Sequence, residues 1–386
     1  MIFKNDKQRI AQLVNLMNEQ SETPLFATDE MLHIFDAALN PEHIDFLLKM
    51  GGGKLTLPVI QSNVNLPAER FNNLFHHLLD IGIIIELEPE DGKEIFHLNS
   101  IFPGWFESYL MSGKETPERK LFAERVKALY DSSLKLGDAE LINTVLREVG
   151  PHRSIAVVTP PGRQIISVGE SVPPPVNEIF PANSVLEILD RVGEGDMIGV
   201  GLCFCRQQKK LVGDPCRMGL PKESCITLGP AADHLVKQKF ARQITKDEAV
   251  NIIKESADKG AVHQIGRVLP LKDFKPKLEV DIICNCCWDC CGAIGNFSRG
   301  NLPFILKSYY IAEIPDTGLC SGCGTCEEFC PIHAIALNAE SVAVINNEMC
   351  CGCGQCALHC PENAVRLKPN EREVFIPILG KPDSRL

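Results

Sequence analysis

The sequence predicts a multidomain α+β protein, and three features predict it. The chain has 386 residues, enough for two or three domains with a sizeable core. Its eighteen cysteines all lie at or beyond residue 203, so a cysteine-free half precedes a cysteine-rich half. Helix-patterned segments and a two-strand hairpin fill the first half, while short apolar, strand-like runs lead into the cysteines of the second.

Composition narrows the function. Net charge is −11, which argues against nucleic acid or an acidic membrane surface as the main partner. No apolar run reaches the ~18 residues of a transmembrane helix. The opening "MIFKNDKQRIAQLVNLMNEQ" is amphipathic and lacks the apolar core of a signal peptide. A cytoplasmic protein is expected. Disulfides are rare in that compartment, so eighteen thiols there point to metal.

Residues 1–112 are expected to form the first domain. Residues 29–50 read as one or two amphipathic helices, with Pro41 starting the second and Gly51–Gly53 ending it. Residues 55–64 suit a short helix. Pro67 opens another, closed by Gly82. "IIIELEPEDGKEIFHLN" then reads as two strands around an Asp91-Gly92 turn. This order resembles a winged helix in general outline. That resemblance implies DNA binding, but residues 1–112 carry seven Lys/Arg against sixteen Asp/Glu, a balance of −9. The candidate recognition helix has only Glu69, Arg70 and Asp80 as charged residues. A DNA reader needs cations for phosphates. Protein docking is therefore the expected role. His76 and His77 read as ordinary histidines, and the aromatic run "IFPGWFESYL" (101–110) as core packing.

Residues 113–158 read as a helical connector, with two helices over 117–148 broken at Gly137. Residues 159–313 read as a cysteine-rich α+β middle domain. It begins with a proline-rich linker and short strand pair at 159–184. A helix follows in "PANSVLEILDRVGEGD". A second, capped by Thr245 with Glu248 at the capping-box position, ends at Gly260.

Two stretches of this domain carry nine thiols. "DMIGVGLCFC" reads as a buried strand, which turns Cys203 and Cys205 to one side. Pro215 and Gly219 are expected to bend the chain so that Cys216 and Cys225 return to them. Arg206, Lys209, Lys210 and Arg217 are expected to surround these thiols and favour thiolates. Four cysteines suit one [4Fe-4S] cluster or one zinc. "DIICNCCWDCC" begins as an apolar strand and ends in a glycine-containing loop. It supplies Cys284, Cys286, Cys287, Cys290 and Cys291, one more than a cubane uses. Adjacent cysteines cannot face one way on a strand, so either the backbone turns or neighbouring thiols serve different centres. Three accounts are open: a further [4Fe-4S] cluster on four of the five, a shared or unusual cluster built jointly with 203–225, or a structural zinc or redox thiol patch. Trp288 is expected to shield a centre from water.

The C-terminal text is clearest. "GLCSGCGTCEEFCPIHAIAL" (318–337) and "EMCCGCGQCALHCPENAVRL" (348–367) align without gaps at an offset of 30. Each carries C-x2-C-x2-C-x3-C-P, on Cys320, Cys323, Cys326, Cys330 and Pro331, and on Cys350, Cys353, Cys356, Cys360 and Pro361. Gly322, Gly324, Gly352 and Gly354 permit tight turns that leave N–H groups free to face sulfur. The prolines are expected to start short helices.

Residues 314–368 here resemble the bacterial-type 2[4Fe-4S] ferredoxin. The resemblance implies that the fourth cysteine of each run serves the other cluster. One set is then Cys320, Cys323, Cys326 and Cys360, and the other Cys350, Cys353, Cys356 and Cys330. Cys351 aligns with Ser321 and is read as a non-ligand. Residues 369–386 form a tail. Cys290-Cys291-Gly292 spells the CCG of heterodisulfide-reductase-type domains, but the upstream lone cysteine of that family is absent between 225 and 284, so its properties are not carried over. The whole arrangement looks like poorly defined multi-cluster 4Fe-4S-binding proteins of anaerobes. That likeness implies electron transfer but no substrate; the ferredoxin motif and the middle cysteines together lead to an expectation of two [4Fe-4S] clusters plus one or two more.

No dinucleotide or P-loop fingerprint and no Ser-His-Asp order appears. The sequence therefore reads as an electron carrier or oxidoreductase subunit that passes electrons to or from a redox partner protein. Two alternatives stand. One is a reductase or reductive activator with a catalytic middle-domain cluster. The other is a redox-sensing DNA-binding regulator.

Overall fold

The computed structural model describes residues 2–21, 25, 27–132, 153–155, 185–190, 192–193, 195–266, 281–298, 304–306, 308, 310–369 and 375–377. The expected linker at 159–184 and the second connector helix lie outside these residues.

The N-terminal half is a helical layer closed by a hairpin. Helix α1 spans Lys7–Gln20, with the Asp6 carboxylate accepting from Gln8 and Arg9 N–H at its start. Helices α2 (Asp29–Ala38) and α3 (Pro41–Met50) follow, capped by Thr28 and Asn40, and Gly51 ends α3. Helices α4 (Leu57–Val64) and α5 (Ala68–Asp80) precede strands β1 (Ile84–Glu90) and β2 (Lys93–Leu98). These strands pair antiparallel with Ile84 opposite Leu98, and Leu55 adds one bridge to Phe96. Residues 101–105 and α6 (Phe106–Met111) pack inward, as the aromatic run predicts. Trp105 is fully buried, 4.6 Å from Phe35 and 5.8 Å from Phe122 of α7 (Pro117–Ser132), ring centre to ring centre. Burying each such side chain contributes about 1.5–3 kcal/mol.

The middle region is built on a six-stranded sheet with every neighbouring pair antiparallel. In chain order its parts are β3 (Arg153–Ile155), α8 (Val185–Asp190), β4 (Ile198–Leu202), α9 (Phe204–Leu211), β5 (Glu223–Leu228), α10 (Gly229–Lys237), β6 (Ala241–Gln243), α11 (Lys246–Asp258), β7 (Val262–Gly266) and β8 (Ile282–Cys286). The spatial order is β3-β7-β8-β5-β4-β6. Val200, Ile226, Ile265 and Ile283 form a core against Ala249 and Ile253 of α11. Thr245 accepts from Glu248 N–H as expected of a cap, while the Glu248 carboxylate turns to Arg242. Phe204 and Leu211 of α9 join the N-terminal core, and Ile85 and Leu87 of β1 pack with Leu235 and Phe240. The two halves thus share apolar surface.

Helix α12 (Ile294–Ser298) occupies part of the stretch expected to be a glycine-containing loop. Its N-terminal turns close through Asn296 N–H to Cys291 O and Phe297 N–H to Ala293 O. Strands β9 (Phe304–Leu306) and β10 (Tyr310–Glu313) lead into the C-terminal repeat. That repeat holds α13 (Thr325–Glu328), β11 (Ile335–Leu337), β12 (Ala343–Ile345), α14 (Gln355–His359) and β13 (Arg366–Pro369), with β14 (Phe375–Pro377) beyond. β11 pairs with β12, β10 with β13 and β14 with β9, all antiparallel. The expected helices after Pro331 and Pro361 are turns instead. The short helices sit before the fourth cysteine of each run, where Gly324 and Gly354 open them. Among the described residues no helix is long and apolar enough to cross a membrane.

Candidate metal centres

The C-terminal repeat folds its eight motif cysteines around two cavities. Cys320, Cys323, Cys326 and Cys360 line one. Cys330, Cys350, Cys353 and Cys356 line the other. The fourth cysteine of each run therefore reaches across, because the segment after each short helix crosses to the other half. Amide N–H groups point at the sulfurs. Ala334 N–H donates to Cys330 Sγ (3.1 Å), Ala364 N–H to Cys360 Sγ (3.3 Å) and Ala343 N–H to Cys320 Sγ (3.5 Å). The first two are related by the 30-residue repeat. Gly352, at φ +70, passes so close to Tyr310 O that a Cβ would lie 2.1 Å from it, which only glycine tolerates. The donors, their number and the N–H groups fit two [4Fe-4S] clusters. Cys351 is buried, lines the second cavity and has its thiol against Cys353.

The nine middle cysteines do not divide as the sequence segments suggest. Strand β4 ends at Leu202, so Cys203 and Cys205 are not alternate strand positions. The Cys203 backbone carbonyl accepts from Gln207 N–H at the start of α9, and Cys205 lies in the first helical turn. Their thiols still meet. The Cys205 thiol lies beside those of Cys203 and Cys291, and the Cys286 thiol beside those of Cys284 and Cys291. Cys225 stands opposite Cys284 on the paired strands β5 and β8, and the two thiols meet. Six thiols thus form one connected group: Cys203, Cys205, Cys225, Cys284, Cys286 and Cys291. The proposed return of Cys216 to Cys203 and Cys205 is not observed. Cys216 meets Cys287 and Cys290 instead, with Asp289 alongside. The turn after β8 separates adjacent cysteines, so 286 and 287, like 290 and 291, serve different groups.

Neighbouring thiols set the electrostatics. Hydrogen bonds from Cys205 hold Cys203 down at about 6, against burial. Donation from Cys205 and Cys286 holds Cys291 well below the usual thiol range. Donation from Cys287 and Cys290 does the same for Cys216. Of the four expected cations only Arg206 is buried among the thiols, facing Cys203, Cys287 and Cys216. Its Nη1 donates to Asn285 O at 3.3 Å. Lys209 pairs with Asp214, Lys210 with Glu115, and Arg217 lies 3.7 Å from Asp214. Local carboxylates thus draw these three away. Trp288, expected to shield a centre, is half-buried.

Several residues were not legible as site residues. Gln264 Oε1 accepts from Cys286 Sγ at 3.1 Å. Asn285 is buried, fixed by His263 (2.7 Å) and by donation to Ser224 O (2.8 Å). Gly292 N–H donates to Cys205 Sγ and Ala293 N–H to Cys291 Sγ, both at 3.3 Å. Asp289 lies within the cysteine stretch 284–291, but only folding brings its carboxylate to Cys216. His77, by contrast, stacks on His43 at 4.6 Å, away from the thiols.

Residues 319–364 match the family described as a 4Fe-4S dicluster domain. No curated protein and no solved structure matches the chain. The C-terminal region is thus an iron–sulfur, ferredoxin-like domain attached to a second cysteine-rich region.

Proposed function

We propose that the protein is an electron-transfer protein in which the C-terminal domain and the six-thiol group hand electrons to or from a redox partner. The carrying observation is shared packing. Cys286 and Cys291 of the six-thiol group lie in one buried cluster with Cys326, Cys330, Cys350, Cys353 and Cys360. Val262, Ile294 and Phe297 fill the space among them. A [4Fe-4S] cluster supplies one-electron chemistry when bound. Cys320, Cys323, Cys326 and Cys360 would hold one, and Cys350, Cys353, Cys356 and Cys330 a second. Four of the six middle thiols would hold a third. The peptide N–H groups of Ala343, Ala334, Ala364, Gly292 and Ala293 stabilise negative charge on the thiolates they face. The Arg206 guanidinium adds a buried positive charge beside Cys203.

Residues 1–112 would dock the partner. The helices and hairpin follow the winged-helix order, with the Leu55–Phe96 bridge consistent with it. The −9 balance of this segment suits a partner with a basic patch. A second reading, a reductase, is favoured by one feature. The six-thiol group has two thiols more than a cubane uses, which leaves a cysteine pair beside it for substrate chemistry.

The test is potentiometric EPR of anaerobically purified protein, followed by reduction of the middle-region signal from the C-terminal signals on a stopped-flow timescale. Middle-region reduction that requires intact Cys350 and Cys360 supports the carrier. Middle-region iron that never exchanges electrons with the C-terminal domain contradicts it.

A further inference from the structure

Cys216, Cys287, Cys290 and Asp289 stand apart from the six-thiol group in spacing and in donor type. Their ligand atoms all lie within 4.8 Å of one another. Two thiolates on one tetrahedral zinc, each at ~2.3 Å, sit ~3.8 Å apart. In a cubane each thiolate binds a different corner iron, which holds the sulfurs farther apart. Among the described residues no other set of three or more such ligands is as close as this one.

Asp289 makes the case sharper. It is 3 % exposed. Its Oδ2 accepts from Arg217 N–H at 2.7 Å, which fixes the carboxylate. Its Oδ1 then accepts from Cys216 Sγ at 3.7 Å. Cys287 and Cys290 are each 1 % exposed. Three thiols and a carboxylate that converge in a buried site form one compact donor set, which a single cation among them would satisfy at once. A redox pair needs two thiols and gains nothing from a third thiol and an aimed carboxylate. The Arg206 guanidinium, facing Cys216 and Cys287, offsets part of the charge that four anionic donors leave on a divalent ion.

We propose that Cys216, Cys287, Cys290 and Asp289 bind a single tetrahedral zinc ion, separate from the iron–sulfur ligands. Three thiolates and a carboxylate suit a borderline ion with no geometric preference of its own. The ion ties the 212–222 loop to the turn after β8. That turn also carries Cys286 and Cys291 into the six-thiol group, on the side away from the zinc ligands. The proposal gives a role to the three middle-region thiols that the function proposed above leaves unused. It does not depend on the C-terminal clusters or on the partner.

The test is metal analysis and zinc-edge X-ray absorption on the full-length, unmutated protein purified without oxygen. The expected result is about one zinc per chain, with three sulfurs at ~2.3 Å and one oxygen at ~2.0 Å. Asp289→Asn should weaken zinc retention against a chelator about 10–100-fold. Cys287→Ser should lose zinc while iron of the C-terminal domain is retained. Absence of zinc from the unmutated protein, a four-sulfur shell, zinc indifferent to both variants, or a loss of about four irons in Cys287→Ser would each overturn the proposal. Loss of the C-terminal iron signals in the unmutated protein would instead count against the electron-transfer reading.

Discussion

Cys286 and Cys287 are neighbours in the chain, yet their thiols belong to different groups. Cys286 meets Cys284, Cys291 and Gln264, whereas Cys287 meets Cys216 and Cys290. The cause is local. Cys286 is the last residue of β8, and the chain turns immediately after it.

The two thiols should therefore have different consequences when removed. Cys286→Ser is expected to lower iron by about four atoms per chain and leave zinc. Cys287→Ser should do the reverse. Parallel iron and zinc analysis of the two variants checks this, and identical losses would show one shared centre.

Among the described residues Arg206 is the one buried cation facing both groups. Replacing it by Met removes positive charge beside thiolates, which disfavours the reduced state. The middle-region midpoint potential should fall by ~60 mV or more, about tenfold in a one-electron equilibrium. Arg206→Lys should not restore it fully, since the fork that reaches Asn285 O is lost. A redox titration followed by EPR reads the shift. The C-terminal potentials serve as the internal reference and should stay in place.

Gly260 sits where the C-terminal domain meets α11. It has φ +87, and a Cβ there would lie 3.0 Å from the Phe329 ring. Phe329 stacks on His359 at 3.6 Å, and His359 Nε2 lies 3.2 Å from Ala257 O. Gly260→Ala must bear both backbone strain and displacement of this stack, about 1–3 kcal/mol. A lower Tm and slower electron exchange between the middle and C-terminal centres are expected. An unchanged Tm would mean that this contact does not hold the domains together.

His234 is buried in α10, and burial pushes its pKa down to about 4. An unfolded chain protonates the same imidazole near 6.5. The folded pKa is depressed, so the unfolded state binds more protons between these values. Stability is present above about 6.5 and is lost as pH falls toward 4. Between pH 7 and 5 the loss from this residue is about 2 kcal/mol. Denaturant unfolding of the wild type and His234→Gln at the two pH values isolates it. A variant with the same pH slope as the wild type would contradict the assignment.

The C-terminal domain was legible because its signal is local. Four cysteines and a proline at fixed spacing, repeated after 30 residues, leave few other chemistries. The α5 helix and its hairpin were also legible, since caps, prolines and the Asp91-Gly92 pair act on their immediate neighbours. The middle region was not. In the sequence Cys203 and Cys205 suit strand positions, because the apolar run ahead of them has no stop signal. Only the structure shows β4 ending at Leu202. The partition of Cys216 from Cys225 depends on pairing between β5 and β8, strands 54 or more residues apart in sequence. Such long-range register has no local signature. Asp289 was hidden for the same reason.

The central claim is most directly tested by iron, sulfide and zinc analysis of the anaerobically purified full chain, read with EPR of the reduced protein. The account predicts about twelve irons, matching sulfide and one zinc per chain. Its reduced EPR should show interaction between the two C-terminal centres and a separate middle-region signal. About eight irons, with no middle-region signal, would contradict it and leave the six thiols outside the electron path.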